Sequence, residues 1–151
     1  MSIWLMKSEP TEYSIEDLER DGSSSWFGVR NYQARNYMRD NMWIGDVVMF
    51  YHSNCKTPSI VGIAKVISLP HVDVTQFECL KKYYDPRATH EKPIWFCVDV
   101  VFITKIGPVT LTKIKETPEL HSMKILQKGN RLSITPVTNR EYAIIMQLCG
   151  K

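Results

Sequence analysis

The sequence predicts an α+β domain in which a curved, mixed β-sheet is flanked by short helices. Three observations carry that expectation. Stretches rich in β-branched and aromatic residues recur along the chain, as buried or half-buried strands require. The helical stretches between them are too few and too unevenly placed for a doubly wound α/β fold. The 151 residues, 44% hydrophobic and 23% charged, have an ordinary globular composition and enough length to bury one core without staples. One domain over residues 1–151 is expected.

Ser2–Met6 is almost wholly apolar and reads as a strand buried on both faces, ending at Lys7-Ser8-Glu9-Pro10. Ser14 opens a short helix. Asp17 stands at its capping-box position, Ile15 and Leu18 supply apolar contacts, and Asp21-Gly22 stops it. Gly22-Ser23-Ser24-Ser25 reads as a flexible loop. Asn31–Asp40, free of Gly and Pro, reads as a second helix. Ile44-Gly45-Asp46 is a turn between helix and strand, and Asp46–Tyr51 and Ile60–Ile67 are strands. Residues 70–93 are polar and irregular, a long excursion. Ile94–Ile106 is a long strand bounded by Pro93 and Gly107-Pro108. Thr117-Pro118 puts proline at the first position of a helix that reaches Gln127 and is closed by Gly129. Arg131–Thr135 is a last strand. Thr138-x-x-Glu141 is a capping box, opening a helix with Tyr142, Ile145, Met146 and Cys149 on one stripe.

Several function classes are excluded at once. No apolar run reaches the roughly 18 residues of a membrane span. The N-terminal residues lack the regions of a secretory leader, so an intracellular protein is expected, cytoplasmic, or nuclear in a eukaryote. Cys55, Cys79, Cys97 and Cys149 show no C-x-x-C spacing, which favours reduced thiols over a zinc ribbon or redox pair. His71, His90 and His121 are isolated and read as surface residues. No metal and no cofactor are expected. There is no G-x-S-x-G elbow, H-E-x-x-H motif, P-loop or Rossmann glycine fingerprint. Net charge is +3, distributed as −3 over residues 1–50, +1 over 51–100 and +5 over 101–151. Such a field can orient an anionic partner, but it is too weak to hold one without a local site.

The candidate functional residues cluster. On a helix, Tyr32, Arg35, Asn36 and Arg39 fall at i, i+3, i+4 and i+7, forming one stripe. Arginine forks take phosphate bidentately and stack on flat rings. The helix N-terminus at Asn31 adds free N–H groups. The competing reading pairs Arg35 and Arg39 with Glu16 or Asp17. Trp26 and Phe27 are either a plug over the core or a platform on which a base would gain about 1–3 kcal/mol. Tyr51, His52, Ser53 and Asn54 leave the sheet at a strand end with donors and acceptors suited to a base edge. An enzyme would use His52 as general base for Ser8 or Ser53. Ser53 neighbours His52 along a strand and points to the opposite face, so those two cannot pair. Arg131 and Ser133 alternate with Leu132 and Ile134 and share one wet face.

Trp4-Leu5-Met6-Lys7-Ser8-Glu9-Pro10, Trp26-x-Gly28-Val29-Arg30-Asn31-Tyr32-Gln33-Ala34-Arg35-Asn36-x-Met38-Arg39, Gly45-Asp46, Phe50-Tyr51-His52-Ser53-Asn54 and Arg131-Leu132-Ser133 together resemble the EVE domain family. The resemblance runs from about residue 2 to residue 147. It implies a PUA-like pseudo-barrel, related to the YTH readers of methylated adenine in RNA. It also implies a non-enzymatic nucleic-acid-binding module that accommodates a modified base, with modified cytosine in DNA favoured over RNA, and no membrane partner. The implied base pocket is Lys7, Ser8, Trp26, Val29, Arg30, Asn31, Tyr51, His52 and Ser53. The implied phosphate and backbone contacts are Tyr32, Arg35, Asn36, Arg39, Arg131 and Ser133. Trp43 and Ile44 depart from the pattern, standing where a more basic turn is expected. The alternatives are a small-molecule sensor using the same pocket and, behind it, a nucleobase- or RNA-processing enzyme with His52 as base.

Overall fold

The computed structural model describes residues 1–150. Their elements are β1 (Ile3–Ser8), α1 (Ile15–Asp21), β2 (Ser23–Ser25), α2 (Tyr32–Asn36), β3 (Val47–His52), β4 (Ser59–Val66), β5 (His71–Val72), β6 (Phe96–Cys97), β7 (Asp99–Thr110), α3 (Leu111–Glu116), β8 (Ile134–Val137) and α4 (Asn139–Leu148). Six strands form a mixed sheet in the order β2-β7-β4-β3-β1-β8, and β5 pairs with β6 separately. Only β1 and β3 run parallel. β2 and β8 remain as edges, so the sheet is not closed into a barrel.

Strand alternation explains why β1 and β3 are apolar throughout. Trp4, Met6, Val48 and Phe50 face one core cluster, with Ile15, Leu18, Trp26, Ala34 and Met38 packed over them. Ile3, Leu5, Val47, Met49 and Tyr51 face the other, beneath Ile114, Leu120, Met123 and Ile145. Each such large side chain contributes about 1.5–3 kcal/mol on leaving water. Both expected capping boxes are present, Ser14 with Asp17 on α1 and Thr138 with Glu141 on α4.

Several elements differ from the sequence expectation, each for a local reason. The serine-rich loop is β2, an edge strand held by pairing of Ser23 with Val101 and Ser25 with Asp99. The second helix stops being α-helical at Asn36 and widens into a π-turn over Tyr37–Asn41, closed by the Met42 N–H on the Tyr37 carbonyl. The long strand splits at Val98, and β7 continues through Gly107-Pro108. It can do so because the β4–β7 register shifts between Ile60–Val109 and Gly62–Lys105, leaving the proline in a bulge where no ladder N–H is needed. Residues 117–127 form two 3₁₀ turns separated by extended Met123. The last strand begins at Ile134, leaving Arg131–Ser133 irregular. The 70–93 excursion is tied down. Buried Gln76 takes the Ile94 and Trp95 N–H groups and donates to the Asp73 and Trp95 carbonyls.

The excursion also packs against the loop before α2. Gly28 sits at φ +84°, and a Cβ there would lie 2.5 Å from Tyr83 Cζ. Gly129 has a similar φ of +78° with open space around it. Gly28→Ala is therefore expected to lose about 2–4 kcal/mol in urea unfolding, from backbone strain plus overpacking. Gly129→Ala is expected to lose only about 1 kcal/mol, and equal losses would contradict the Tyr83 contact.

Candidate nucleic-acid interface

The interface is built where β1 and β3 end. Their parallel register sets Ser8 beside His52 and Lys7 beside Tyr51. Alternation then sends the two pairs to opposite faces. Ser8 and His52 share the face of Trp26, whereas Tyr51 lies in the opposite cluster. Burial pushes the Tyr51 hydroxyl up to about 12, and the Cys55 thiol adds to this. Burial also lowers the Lys7 ammonium. The nine residues of the implied base pocket are thus divided by the sheet.

Ser8 and His52 are adjacent but not bonded to each other. Ser8 Oγ donates to the Tyr13 carbonyl at 2.6 Å, and His52 Nε2 accepts the Ile15 N–H at 3.1 Å. Both groups hold the entry to α1. Burial keeps the imidazole below its ordinary pKa, despite the opposing pull of Glu16. Ser53 donates its N–H to the Ser8 carbonyl, which closes the two strand ends together.

Trp26 is 8% exposed and meets Phe50 edge-on at 5.3 Å. Its ring is part of the core, with Val29 buried close by in the same cluster. Among the described residues its indole N–H has no protein partner, and no fully buried side-chain polar atom is left unpaired. The N–H edge therefore reaches solvent. Exposed Asn31 caps α2 by accepting the Ala34 N–H at 3.0 Å. With Gln33 it forms one wall of an open groove of about 430 Å³, and Lys128–Leu132 form the other. Ser133 anchors that second wall by accepting the Lys7 N–H at 2.8 Å. Arg131 is exposed on it.

The arginines have distinct surroundings. Arg30 spends its fork internally. It donates to the Tyr83 carbonyl (3.1 and 2.8 Å), the Val29 carbonyl (3.0 Å), Asp73 Oδ2 (3.1 Å) and Thr75 Oγ1 (3.0 Å). It braces the excursion and is not presented to the groove. Tyr32 stacks on Trp95 at 4.9 Å, and Arg35 lies over the Tyr32 ring at 4.8 Å. Arg35 donates to the Ile94 carbonyl and to Asn36 Oδ1. Arg39 pairs with Asp40 at 2.8 Å and lies 6.0 Å from the Phe96 ring. The competing ion pairs are not formed, because Glu16 holds Lys105 and Asp17 holds Arg20.

Sequence reasoning missed Trp95, which reads only as part of an apolar strand, and Asp73, Asp85 and Arg87 within the excursion. It also read His71 as isolated, whereas His71 Nε2 lies 2.8 Å from Asp99 Oδ1. Cys97 is fully buried, and burial first, then Asp73 and Asp99, pushes its thiol up to about 12. Among the described residues no group of three or more His, Cys, Asp or Glu could hold a metal ion, and no helix is long and apolar enough to cross a membrane.

The chain belongs to the EVE domain family, whose model matches residues 2–148. Human thymocyte nuclear protein 1 is 38% identical to it, across 97% of this chain and 73% of the human protein. A hypothetical protein from Leishmania major has the same fold at TM-score 0.95 and 44% identity, covering 99% of this chain and 95% of that one. The human THYN1 protein in complex with DNA containing 5-methylcytosine matches at TM-score 0.93 and 38% identity, covering 100% and 99%.

The His52 bond yields a pH dependence with a defined sign. Burial holds the folded-state pKa below the ordinary imidazole value of about 6.5, so on acidification the unfolded chain takes up the proton first. The stability His52 confers is fully present above about pH 6.5 and is lost as pH falls through the lowered folded-state value. His52→Gln is expected to have a lower urea midpoint than wild type at pH about 7.5, with the gap closing toward pH about 5. A gap that does not change with pH would contradict a neutral, bonded imidazole.

Proposed function

We propose that this chain is a non-enzymatic module that binds DNA and takes a modified base, a modified cytosine in the first instance, into the groove beside α2. The observation that carries this is the full-length structural match to a relative bound to 5-methylcytosine DNA. The site chemistry supports it. The groove of about 430 Å³ is open and lined mostly by polar side chains. Asn31 and Gln33 on its wall supply donors and acceptors for the polar edge of an extruded base, and the Trp26 N–H edge is added to them on the family resemblance, not on the groove's lining. Extrusion costs a few kcal/mol, which hydrogen bonds and stacking must offset. A single methyl group is worth only about 1–3 kcal/mol in a pocket, so discrimination against unmodified cytosine is modest.

In this reading Ser8, Val29, His52 and Ser53 fix the strand ends and the loop behind the groove and do not line it. Lys7, Arg30 and Tyr51 hold strand ends and loops, and do not touch the base. Tyr32, Arg35, Asn36 and Arg39 on one side, and Arg131 and Ser133 on the other, line the path of the sugar–phosphate backbone. A binding role rather than catalysis is supported by Ser8 Oγ and His52 Nε2, which are committed to the Tyr13 carbonyl and the Ile15 N–H. The chain acts as one domain, and its place is wherever its DNA is, the nucleus in a eukaryote.

Paired duplexes with and without 5-methylcytosine, titrated at two salt concentrations, test the proposal. Wild type is expected to prefer the methylated duplex and to lose affinity as salt rises. Trp26→Phe keeps an aromatic ring against Phe50 but deletes the N–H edge. It is expected to reduce the preference by about tenfold or abolish it, at nearly unchanged salt dependence. Equal wild-type affinity for the two duplexes would overturn the modified-base reading, and affinity indifferent to salt would point to a small-molecule sensor.

A further inference from the structure

The excursion over residues 70–93 carries an arginine outside the implied base and phosphate contacts. Arg87 is 63% exposed at its side chain, yet it is held from behind. Asp85 takes its Nε at 3.1 Å and its Nη2 at 2.8 Å. That carboxylate is itself nearly buried and also accepts the Trp95 indole N–H at 2.8 Å. The guanidinium is therefore aimed: one edge faces Asp85 and the other faces outward. The Asp85 carboxylate holds Arg87 firmly protonated.

Arg35 approaches the same tyrosine, over its ring. Around this cluster Arg30 has Asp73, Arg39 has Asp40 and Arg87 has Asp85. Among the described residues Arg35 alone of the four has no carboxylate, only the neutral oxygens of Ile94 and Asn36. Burial, and repulsion from Arg39, weaken its hold on its proton. A half-buried cation without a counter-ion is a cost that an incoming anion removes. Trp95 joins the two arginines: its indole N–H is held by the Asp85 that holds Arg87, and its ring stacks on the Tyr32 that Arg35 covers. Two guanidinium groups on one aromatic stack provide several donors, suited to the two non-bridging oxygens of a phosphate diester.

We infer that Arg87 and Arg35 bracket Tyr32 to form a clamp for one backbone phosphodiester of the bound strand, so that the excursion is part of the nucleic-acid interface. The inference rests on the proposed DNA binding and adds Arg87, which lies outside the implied residue set, to Tyr32 and Arg35, which lie within it. Arg35 contributes uncompensated charge. Arg87, oriented by Asp85, contributes a fork, and its loss would leave the Asp85 carboxylate facing the phosphate.

The test is a salt titration of binding to methylated and unmethylated duplexes with wild type, Arg87→Ala, Arg87→Lys and a remote control, Arg140→Ala on α4. Arg87→Ala is expected to weaken both duplexes about five- to tenfold at low salt, keep their affinity ratio and flatten the log–log salt slope by about 0.9. Arg87→Lys keeps the charge and the Asp85 partner but loses the fork. It is expected to restore the slope and only part of the affinity. Arg140→Ala is expected to match wild type. Inorganic phosphate at constant ionic strength is expected not to compete, and specific competition would overturn the diester assignment in favour of free phosphate. Wild-type binding with an unchanged Arg87→Ala slope and affinity would overturn the clamp alone. Failure of wild type to bind any duplex would overturn the functional reading, and the clamp with it.

Discussion

The buried carboxylate of Asp73 is the constraint on which the rest of the interface depends. It is wholly inaccessible and accepts from the Gly28 N–H at 2.9 Å, Arg30 Nη1 at 3.1 Å and the Thr75 N–H at 2.9 Å. A carboxylate taken out of water costs several kcal/mol unless donors replace the lost hydration. Here the donors come from segments more than 40 residues apart in sequence, so satisfying the charge fastens the loop carrying Trp26 and Gly28 to the excursion. Arg30 completes the joint by gripping the Tyr83 carbonyl with two nitrogens. The loop position then fixes where α2 begins, and with it the wall of the groove.

From that joint a ladder of flat groups extends outward. Arg30 lies 5.3 Å from the Trp95 ring, Trp95 stacks on Tyr32, and Arg35 covers Tyr32. Each cation–aromatic contact is worth about 0.5–2 kcal/mol, more when desolvated. The ladder is stiff at its inner end, where every Arg30 donor is used, and electrostatically unfinished at its outer end. A fold that leaves one partly desolvated cation without a carboxylate gives up stability at that point, a pattern expected where binding and stability compete.

The sequence made the strands and both capping boxes legible because each depends on local spacing. Apolar residues on both faces of β1 required cover on both sides, and Ser14-x-x-Asp17 and Thr138-x-x-Glu141 are complete signals in themselves. β2 was not legible, since Ser23–Ser25 is a strand only because β7 offers it a partner. Nor was the π-turn, which changes backbone geometry without any Gly or Pro to mark it. The first-strand and His52 motifs meet at one end of the sheet, but their division between its faces was not legible. Lys7 and Ser8 are sequence neighbours on opposite sides, and periodicity read without the β1–β3 register could not assign each to a core. The roles of Arg30 and Arg35 were likewise indistinguishable, because the carboxylate that separates them lies 43 residues beyond Arg30.

Charge economy bears on how such a module can discriminate. The net charge of +3 is small for a nucleic-acid binder, and three of the four arginines near Tyr32 are neutralised by their own carboxylates. A diffuse field of that size gives little non-specific affinity. Weak non-specific binding is an advantage for a reader, because the useful quantity is the ratio of specific to competing sites rather than the tightness of either. With the general attraction kept low, the energy of the groove and of a few oriented forks makes up a larger share of the total. In a module of the proposed kind, a change of one methyl group in the base would then register as a usable difference in occupancy.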